Sequence, residues 1–286
     1  MPCRAYRIRL RLLGPLHVGA GQAGNIQRTR PYVTGRAFWG ALTARVTRDR
    51  YPHSDDQDYE RVGREIHHQL AFSYFYLVGE KDEAVQVWPW GETADEFAWR
   101  YLGSYASTAL EHGAGGALAG SLHEVEFIAP TTRDGDRVHL LGYVFEQPEA
   151  AQSWREALGR LQLGGERGYG WGRVSPLGSP EPVDGQPIFE HYRLMGEVWP
   201  PVLEAQSTEH RRVPLLAHTL AAAEDGRGVL AQAEGAVEPL VGRETTASGA
   251  FRAGPSEARI CWAPGATVGA GTRITIAHCG IWHAVH

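Results

Sequence analysis

Glycine gathers at two places in this chain, and nothing else in the sequence constrains the backbone as tightly. The first run, Gly14-Pro15-Leu16-His17-Val18-Gly19-Ala20-Gly21, continues through Gly24 and Asn25 to Arg28-Thr29-Arg30-Pro31-Tyr32. The second is Leu163-Gly164-Gly165-Glu166-Arg167-Gly168-Tyr169-Gly170-Trp171-Gly172-Arg173-Val174. Closely spaced glycines open positive φ to the backbone and let its N–H groups approach a phosphate without side-chain obstruction. In the second run Arg167 and Arg173 add charge, while Tyr169 and Trp171 offer faces on which bases or guanidinium groups stack. The alternative is a glycine-rich hairpin that packs two aromatics, because the same alternation occurs at tight β-turns.

Each run sits between a strand and a helix. Tyr6, Ile8, Leu10 and Leu12 alternate with Arg7, Arg9 and Arg11, which predicts a half-buried strand that turns three arginines toward solvent or a ligand. After the first run Thr34 can N-cap a helix carrying Phe38, Leu42 and Val46 on one stripe, with Arg45 and Arg48 near its last turn, where cations suit the helix dipole. Tyr51 to Arg64 reads as loop or irregular helix, and Gln69 to Val78 as a strand. The aromatics between Val85 and Tyr105 read as core, and His112 to Gly120 as an insertion. Glu124 to Ala129 and Val138 to Phe145 read as a hairpin across Asp134-Gly135. A helix from Glu149 to Leu163 buries Trp154, Leu158 and Leu161 and is closed by Gly164-Gly165.

This order is close to βαββαβ, so the expected class is α+β, with an RRM-like or ferredoxin-like domain over residues 1–175. The acidic, proline-rich stretch Ser175 to Pro187 reads as a linker. A second, β-rich domain follows over residues 188–286, a degenerate RRM-like fold being one option. Its expected strands are Phe189 to Val198, Gly235 to Val241, Ala258 to Trp262 and Arg273 to Ile281, with one short helix near Leu215 to Ala223.

Charge is unevenly spread. Residues 1–48 contain no Asp or Glu and nine arginines, so with a net charge of −5 for the chain the other 238 residues carry −14. A basic segment on an acidic body is what a polyanion-binding surface on a soluble particle produces. Lys81 is the only lysine. Arginine suits phosphate and base recognition, and a GC-rich genome would enrich it equally. Cys3, Cys261 and Cys279 are too few and too scattered for a disulfide framework. With no signal-like start and no apolar run of about 18 residues, a cytoplasmic location is expected.

Leu13 to Gly21, followed by Pro31-Tyr32-Val33-Thr34-Gly35-Arg36-Ala37-Phe38-Trp39-Gly40-Ala41-Leu42, resembles the N-terminal signature of the CRISPR-associated RAMP superfamily. Leu163 to Val174 resembles that family's glycine-rich loop. The resemblance implies an RRM-like fold and a type III effector subunit of antiviral defence, with CRISPR RNA, other effector subunits and target RNA as partners and no cofactor. Group-five subunits, which hold the 5′ handle of the guide, look most similar, and group-seven backbone subunits are the nearest rival. The RNA contacts implied are Arg7, Arg9, Arg11, His17, Gly19, Gly21, Asn25, Arg28, Arg30, Arg36, Gly164, Gly165, Arg167, Tyr169, Gly170, Trp171 and Arg173.

Four places invite a catalytic reading and each has a structural alternative. His17 could serve as general acid or base toward a 2′-hydroxyl, as in metal-independent repeat-cleaving endoribonucleases of this superfamily. More than 110 residues follow the second glycine run, however, and the favoured reading is a non-catalytic subunit. No metal site is expected: His278 and Cys279 would point to opposite faces of a strand, and Cys261, His283 and His286 form no knuckle. Glu238 to Glu244 reads as a structural ion-pair set. Between Gly14 and Gly35 there is no carboxylate, and the resemblance puts Asn25 near the position where cleaving backbone subunits carry an aspartate.

Overall fold

In a computed structural model the alternating segment forms strand β1 (Arg4–Leu12), with Ile8, Leu10 and Leu12 buried on one side. The structure describes residues 3–79, 86–111, 113, 115–148, 150, 153–196, 198–207, 212–223, 225–241, 243–245, 251–253 and 258–285. The chain continues through β2 (Gly19–Ala23), β3 (Ile26–Thr29), α1 (Gly35–Arg50), α2 (Asp56–Gln69), β4 (Leu70–Phe72), β5 (Tyr76–Val78) and β6 (Gln86–Val87). It then forms α3 (Ala94–Tyr101), β7 (Leu102–Ser107), β8 (His123–Ile128), β9 (His139–Glu146), α4 (Ser153–Ala157), β10 (Val174–Pro176) and β11 (Glu181–Pro182).

Among the described residues the first sheet runs β10-β1-β9-β5-β6, with β4 also on β9 and β11 also on β1, and its pairings are antiparallel. Taken along β1, α1, β4 with β5, β9, α4 and β10, this is the βαββαβ order with the fourth strand beside the first and the third beside the second. That is the ferredoxin-like arrangement. Thr34 caps α1 by accepting the Ala37 N–H at 3.2 Å. Phe38, Leu42 and Val46 fall on the buried stripe, packed with Leu10, Phe75, Leu140 and Trp154.

The opposite face of this sheet is covered too. Ala5, Leu141, Tyr143, Phe145, Tyr74 and Tyr76 share a second core with Ile188, Phe189, Tyr192, Leu203, Leu215 and Leu216 from the C-terminal half. That half builds a seven-stranded sheet in the order Tyr192–Met195, Val202–Ala205, Arg273–Ile276, Trp282–Ala284, Thr219–Ala222, Arg259–Trp262, Val237–Leu240. The ferredoxin-like sheet is therefore a middle layer between helices and a second sheet.

Several local expectations change. The polar stretch from Tyr51 contains a regular helix, α2, opened by a capping box in which Asp55 and Asp58 take each other's backbone N–H. The expected strand from Gln69 to Val78 is broken between β4 and β5, where Ser73 Oγ accepts the Tyr143 N–H at 2.7 Å. β8 and β9 are not a hairpin. The turn at Gly135 forms, its N–H bonded to Thr132 O, but β8 leaves the main sheet and joins a separate one ordered β2-β3-β8-β7. The helix before the second glycine run is short, continuing only as a single 3₁₀ turn from Leu158 to Arg160, although Trp154, Leu158 and Leu161 are buried as expected.

The stretch read as a linker supplies β10 and β11, both on β1. Proline is tolerated there because an edge strand does not need every N–H. Leu215 to Ala223 is not helical. Leu215, Leu216, Ala217 and His218 are fully buried and lead into the strand Thr219–Ala222, and a short continuous apolar run does not distinguish strand from helix by period. The strand expected to reach Ile281 stops at Ile276, and His278–Gly280 forms a 3₁₀ turn against the start of α1. A Cβ on Gly35 would lie 2.8 Å from Cys279 O, which ties that glycine to chain crossing. His112, Ala114 and His286, and the side chains of Arg243 and Glu244, lie outside the described residues.

Candidate nucleic-acid interface

The two glycine runs are stitched to each other. Gly165 N–H donates to His17 O at 2.9 Å, Gly172 N–H to Pro15 O at 2.7 Å, and Leu13 N–H to Arg173 O at 2.9 Å. Gly164 and Gly172 have φ of +70° and +75°, and an added Cβ would overlap His17 O and Leu163 O respectively. These glycines serve the crossing of two backbones. Gly168 and Gly170 differ: a Cβ at either meets nothing within 4 Å, and both lie at the exposed tip.

The tip is a single 3₁₀ turn, Arg167–Tyr169, set between left-handed residues Glu166 and Gly170. Gln162 Nε2 pins it from inside by donating to Arg167 O at 2.9 Å and Trp171 O at 2.8 Å. Tyr169 is 82% exposed. Trp171 instead lies edge-on to Phe127 of β8 (5.1 Å between ring centres) and to Tyr105 of β7 (6.4 Å), so the small sheet forms the floor beside the loop. Tyr105 was legible only as one of several core aromatics, and Phe127 carried no signal beyond its place in an alternating strand. Tyr105 is in fact exposed, as is Trp99, whereas Phe97 and Tyr101 are core.

The other predicted contacts divide. Arg7 Nε and Arg9 Nη2 each donate to Glu181 at 3.0 Å, and all three β1 arginines are half-buried against the face that the C-terminal half covers. The expected open arginine face is thus largely neutralised inside the chain. Arg30 is deeper still: its side chain is 13% exposed and donates to Glu238 at 2.9 Å and Tyr32 OH at 3.1 Å. Arg28 is exposed but ion-paired with Glu126 at 3.0 Å, and Arg36 is half-buried on the first turn of α1. Gly19, Gly21 and Asn25 are exposed on the β2–β3 hairpin.

His17 is buried, its Nδ1 donating to Glu126 O at 2.7 Å, which leaves Nε2 as the acceptor nitrogen. Gly165 packs on the ring, so the histidine forms part of the seam between the two runs.

Arg167 and Arg173 are exposed and have no carboxylate partner among the described residues, nor is either paired with Glu166. Elsewhere surface arginines are commonly held, as Arg160 is by Asp49 (2.8 Å) and Arg212 by Glu234 (3.1 Å). Uncompensated charge, open backbone and an exposed phenol therefore meet at one loop. Such a surface can take a phosphate on the guanidinium groups and tip amides and a base on Tyr169.

Residues 9–175, which contain both runs and most of the ferredoxin-like sheet, match the family model of the RAMP superfamily. The chain belongs to the RAMP superfamily. Among solved structures this RAMP chain resembles one in "Cryo-EM structure of the Type III-B Cmr-beta bound to cognate target RNA and AMPPnP, state 1". The match has 11% identity and a TM-score of 0.51, covering 92% of this chain and 86% of that one. At that identity the likeness concerns the fold. A chain of "Type III-B Cmr-beta bound to cognate target RNA" matches with 11% identity and a TM-score of 0.40, covering 60% of this chain and 96% of that one. No curated protein matches the sequence. Among the described residues no helix is long and apolar enough to cross a membrane.

Proposed function

We propose that this RAMP protein is a non-catalytic, CRISPR-RNA-binding subunit of a type III interference complex, acting in the cytoplasm with other effector subunits. The observation that carries the reading is the loop tip, where Arg167, Arg173, Tyr169 and the unobstructed backbone at Gly168 and Gly170 are left uncommitted. The same contacts would hold a guide strand by its phosphates with little dependence on sequence. Residues 1–175 act in this reading as the RNA-holding domain, and residues 188–286 as the domain that closes the far side of its sheet. A chain of similar fold comes from a type III-B Cmr-beta complex with target RNA bound.

The test is fluorescence anisotropy of the full chain with labelled single-stranded repeat RNA. Arg167→Gln with Arg173→Gln should weaken binding about tenfold or more and lower the salt slope by about 1.4, at roughly 0.7 per phosphate contact on a single strand. Gly170→Val should weaken it more than Tyr169→Phe, because φ is +83° there while the phenol hydroxyl contributes little to stacking. Unchanged affinity and slope in a folded double variant would remove the loop from the RNA site.

The rival reading, a metal-independent endoribonuclease using His17, predicts site-specific cleavage of repeat RNA in EDTA that His17→Ala abolishes. Burial of the ring and its use in the seam support a structural role instead. In a reconstituted complex, Asn25→Ala should leave every target cleavage position intact. Loss of one band would make the chain an active subunit.

A further inference from the structure

We infer that the glycine loop is one end of a longer phosphate track, and that Arg48, Tyr59 and Ser54, where α1 ends and α2 begins, form its next station on the same RNA strand. The inference rests on the RNA-binding reading above. The 3₁₀ turn just before the loop is tied to the end of α1 through Asp49, which accepts from Arg160 at 2.8 Å and from Arg45. Arg48, the neighbour of Asp49, is exposed and has no carboxylate partner among the described residues.

The hydrogen bonding at Tyr59 is what gives the station its chemistry. Its phenol oxygen accepts from Arg48 Nε at 3.2 Å and from Ser54 Oγ at 3.4 Å. With both donations arriving at the oxygen, the Tyr59 O–H proton has no acceptor within the cluster and is free to be given to a ligand. Among the described residues the Arg48 terminal nitrogens are likewise uncommitted. Arg167, from the loop tip, lies near enough for its charge to act on the phenol. The Tyr59 pKa is accordingly drawn below the usual tyrosine value, by the Ser54 and Arg48 hydrogen bonds first and by the two cations after them.

Of the nearby carboxylates, Asp56 in the first turn of α2 is exposed and unpaired among the described residues, and the others are engaged. Asp49 holds two arginines, Asp58 holds Arg61, and Asp55 with Asp58 closes the capping box. Arg48 and Tyr59 turn donors and a positive charge outward, which suits the non-bridging oxygens of a phosphodiester. Arg167, the more distant cation at Tyr59, is shared with the loop, so a strand leaving the tip would meet Arg48 and Tyr59 next.

The test uses the full chain with single-stranded oligouridylates of about 4 and about 16 nucleotides, the range of sites a single small domain covers. Arg64→Gln is the control: Arg64 is an exposed α2 arginine paired, among the described residues, with Glu60 alone, and its loss changes net charge equally. Arg48→Gln should weaken the longer probe about three- to tenfold and lower its salt slope by about 0.7, leaving the shorter probe unchanged. Tyr59→Phe should weaken the longer probe about twofold with an unchanged slope, and Arg64→Gln should change neither probe. If Arg48→Gln matches Arg64→Gln on the longer probe while Arg167→Gln still weakens both, this station is overturned and the loop reading stands. If Arg167→Gln and Arg173→Gln also leave both probes unaffected, the RNA-binding reading falls and this inference with it. Thermal melts of each variant separate binding loss from unfolding.

Discussion

Gly172→Ala is expected to remove about 2–6 kcal/mol of folding stability, from roughly 1–3 for a non-glycine residue held in the left-handed region and roughly 1–3 for forcing a filled site apart. The added Cβ would overlap the Leu163 carbonyl oxygen, and Leu163 N–H is itself bonded to Gly172 O at 2.8 Å. The neighbouring atoms are backbone, so no rotamer change relieves the overlap. Gly170→Ala is the matched comparison, because it keeps a similar φ, +83° against +75°, with nothing within 4 Å of the new methyl. It should cost about 1 kcal/mol, the conformational part alone. Denaturant unfolding of the two variants measures the difference. Equal losses would mean that the seam between the two glycine runs is looser than its hydrogen bonds indicate.

Glu238→Gln is the second large effect, and it acts through a buried chain of polar groups joining the two halves of the molecule. Tyr74 O–H donates to His218 Nδ1 at 2.6 Å, and His218 Nε2–H donates to Glu238 Oε1. Arg30 donates to the same carboxylate oxygen at 2.9 Å. His218 is fully buried and the Arg30 side chain nearly so; the neutral amide oxygen still accepts from the imidazole N–H but leaves the Arg30 cation without its counter-charge. Breaking a buried pair costs about 3–5 kcal/mol. With the Glu238 side chain 34% exposed, solvent screening lowers the expected loss to about 2–3 kcal/mol.

The same chain sets an acid response. The His218 hydrogen bond and the Arg30 charge pull the Glu238 pKa down to about 2, against 4.5 in an unfolded chain. Its stabilisation is complete above pH 4.5 and is lost as pH falls toward 2. Burial lowers the His218 pKa below 6.5, so the unfolded chain gains a proton that the folded one resists, and stability starts to decline as pH drops through 6.5. Glu238→Gln should lack the steeper loss below pH 4.5 that the parent shows. Unfolding free energies of parent and variant that stay parallel from pH 7 to 3 would show that this network does not govern the response.

Much of the core-forming framework was readable along the chain. The period-2 alternation from Tyr6 to Leu12, the Thr34 cap and the stripe Phe38, Leu42, Val46 each depend on geometry within a few residues, and each forms where it was expected. The glycine runs were likewise visible, but not the division between Gly164, Gly165 and Gly172, which let two backbones cross, and Gly168 and Gly170, which stand at the open tip.

The fate of the charged groups was not readable in this way. Alternation separates the two faces of β1 without saying what covers the arginine side, and a long arginine fits as well against Glu181 as against a phosphate. A paired run such as Glu124 to Phe145 looks like a hairpin until β8 finds β3 and β7 instead of β9. Arg30 meets Glu238 and Arg48 meets Tyr59 across gaps in sequence that no local period spans. Secondary structure follows from torsional and packing preferences held within a turn or two of chain. Which arginines remain available to a ligand is settled by long-range pairing, because a charge is neutralised by whichever carboxylate the finished fold brings beside it.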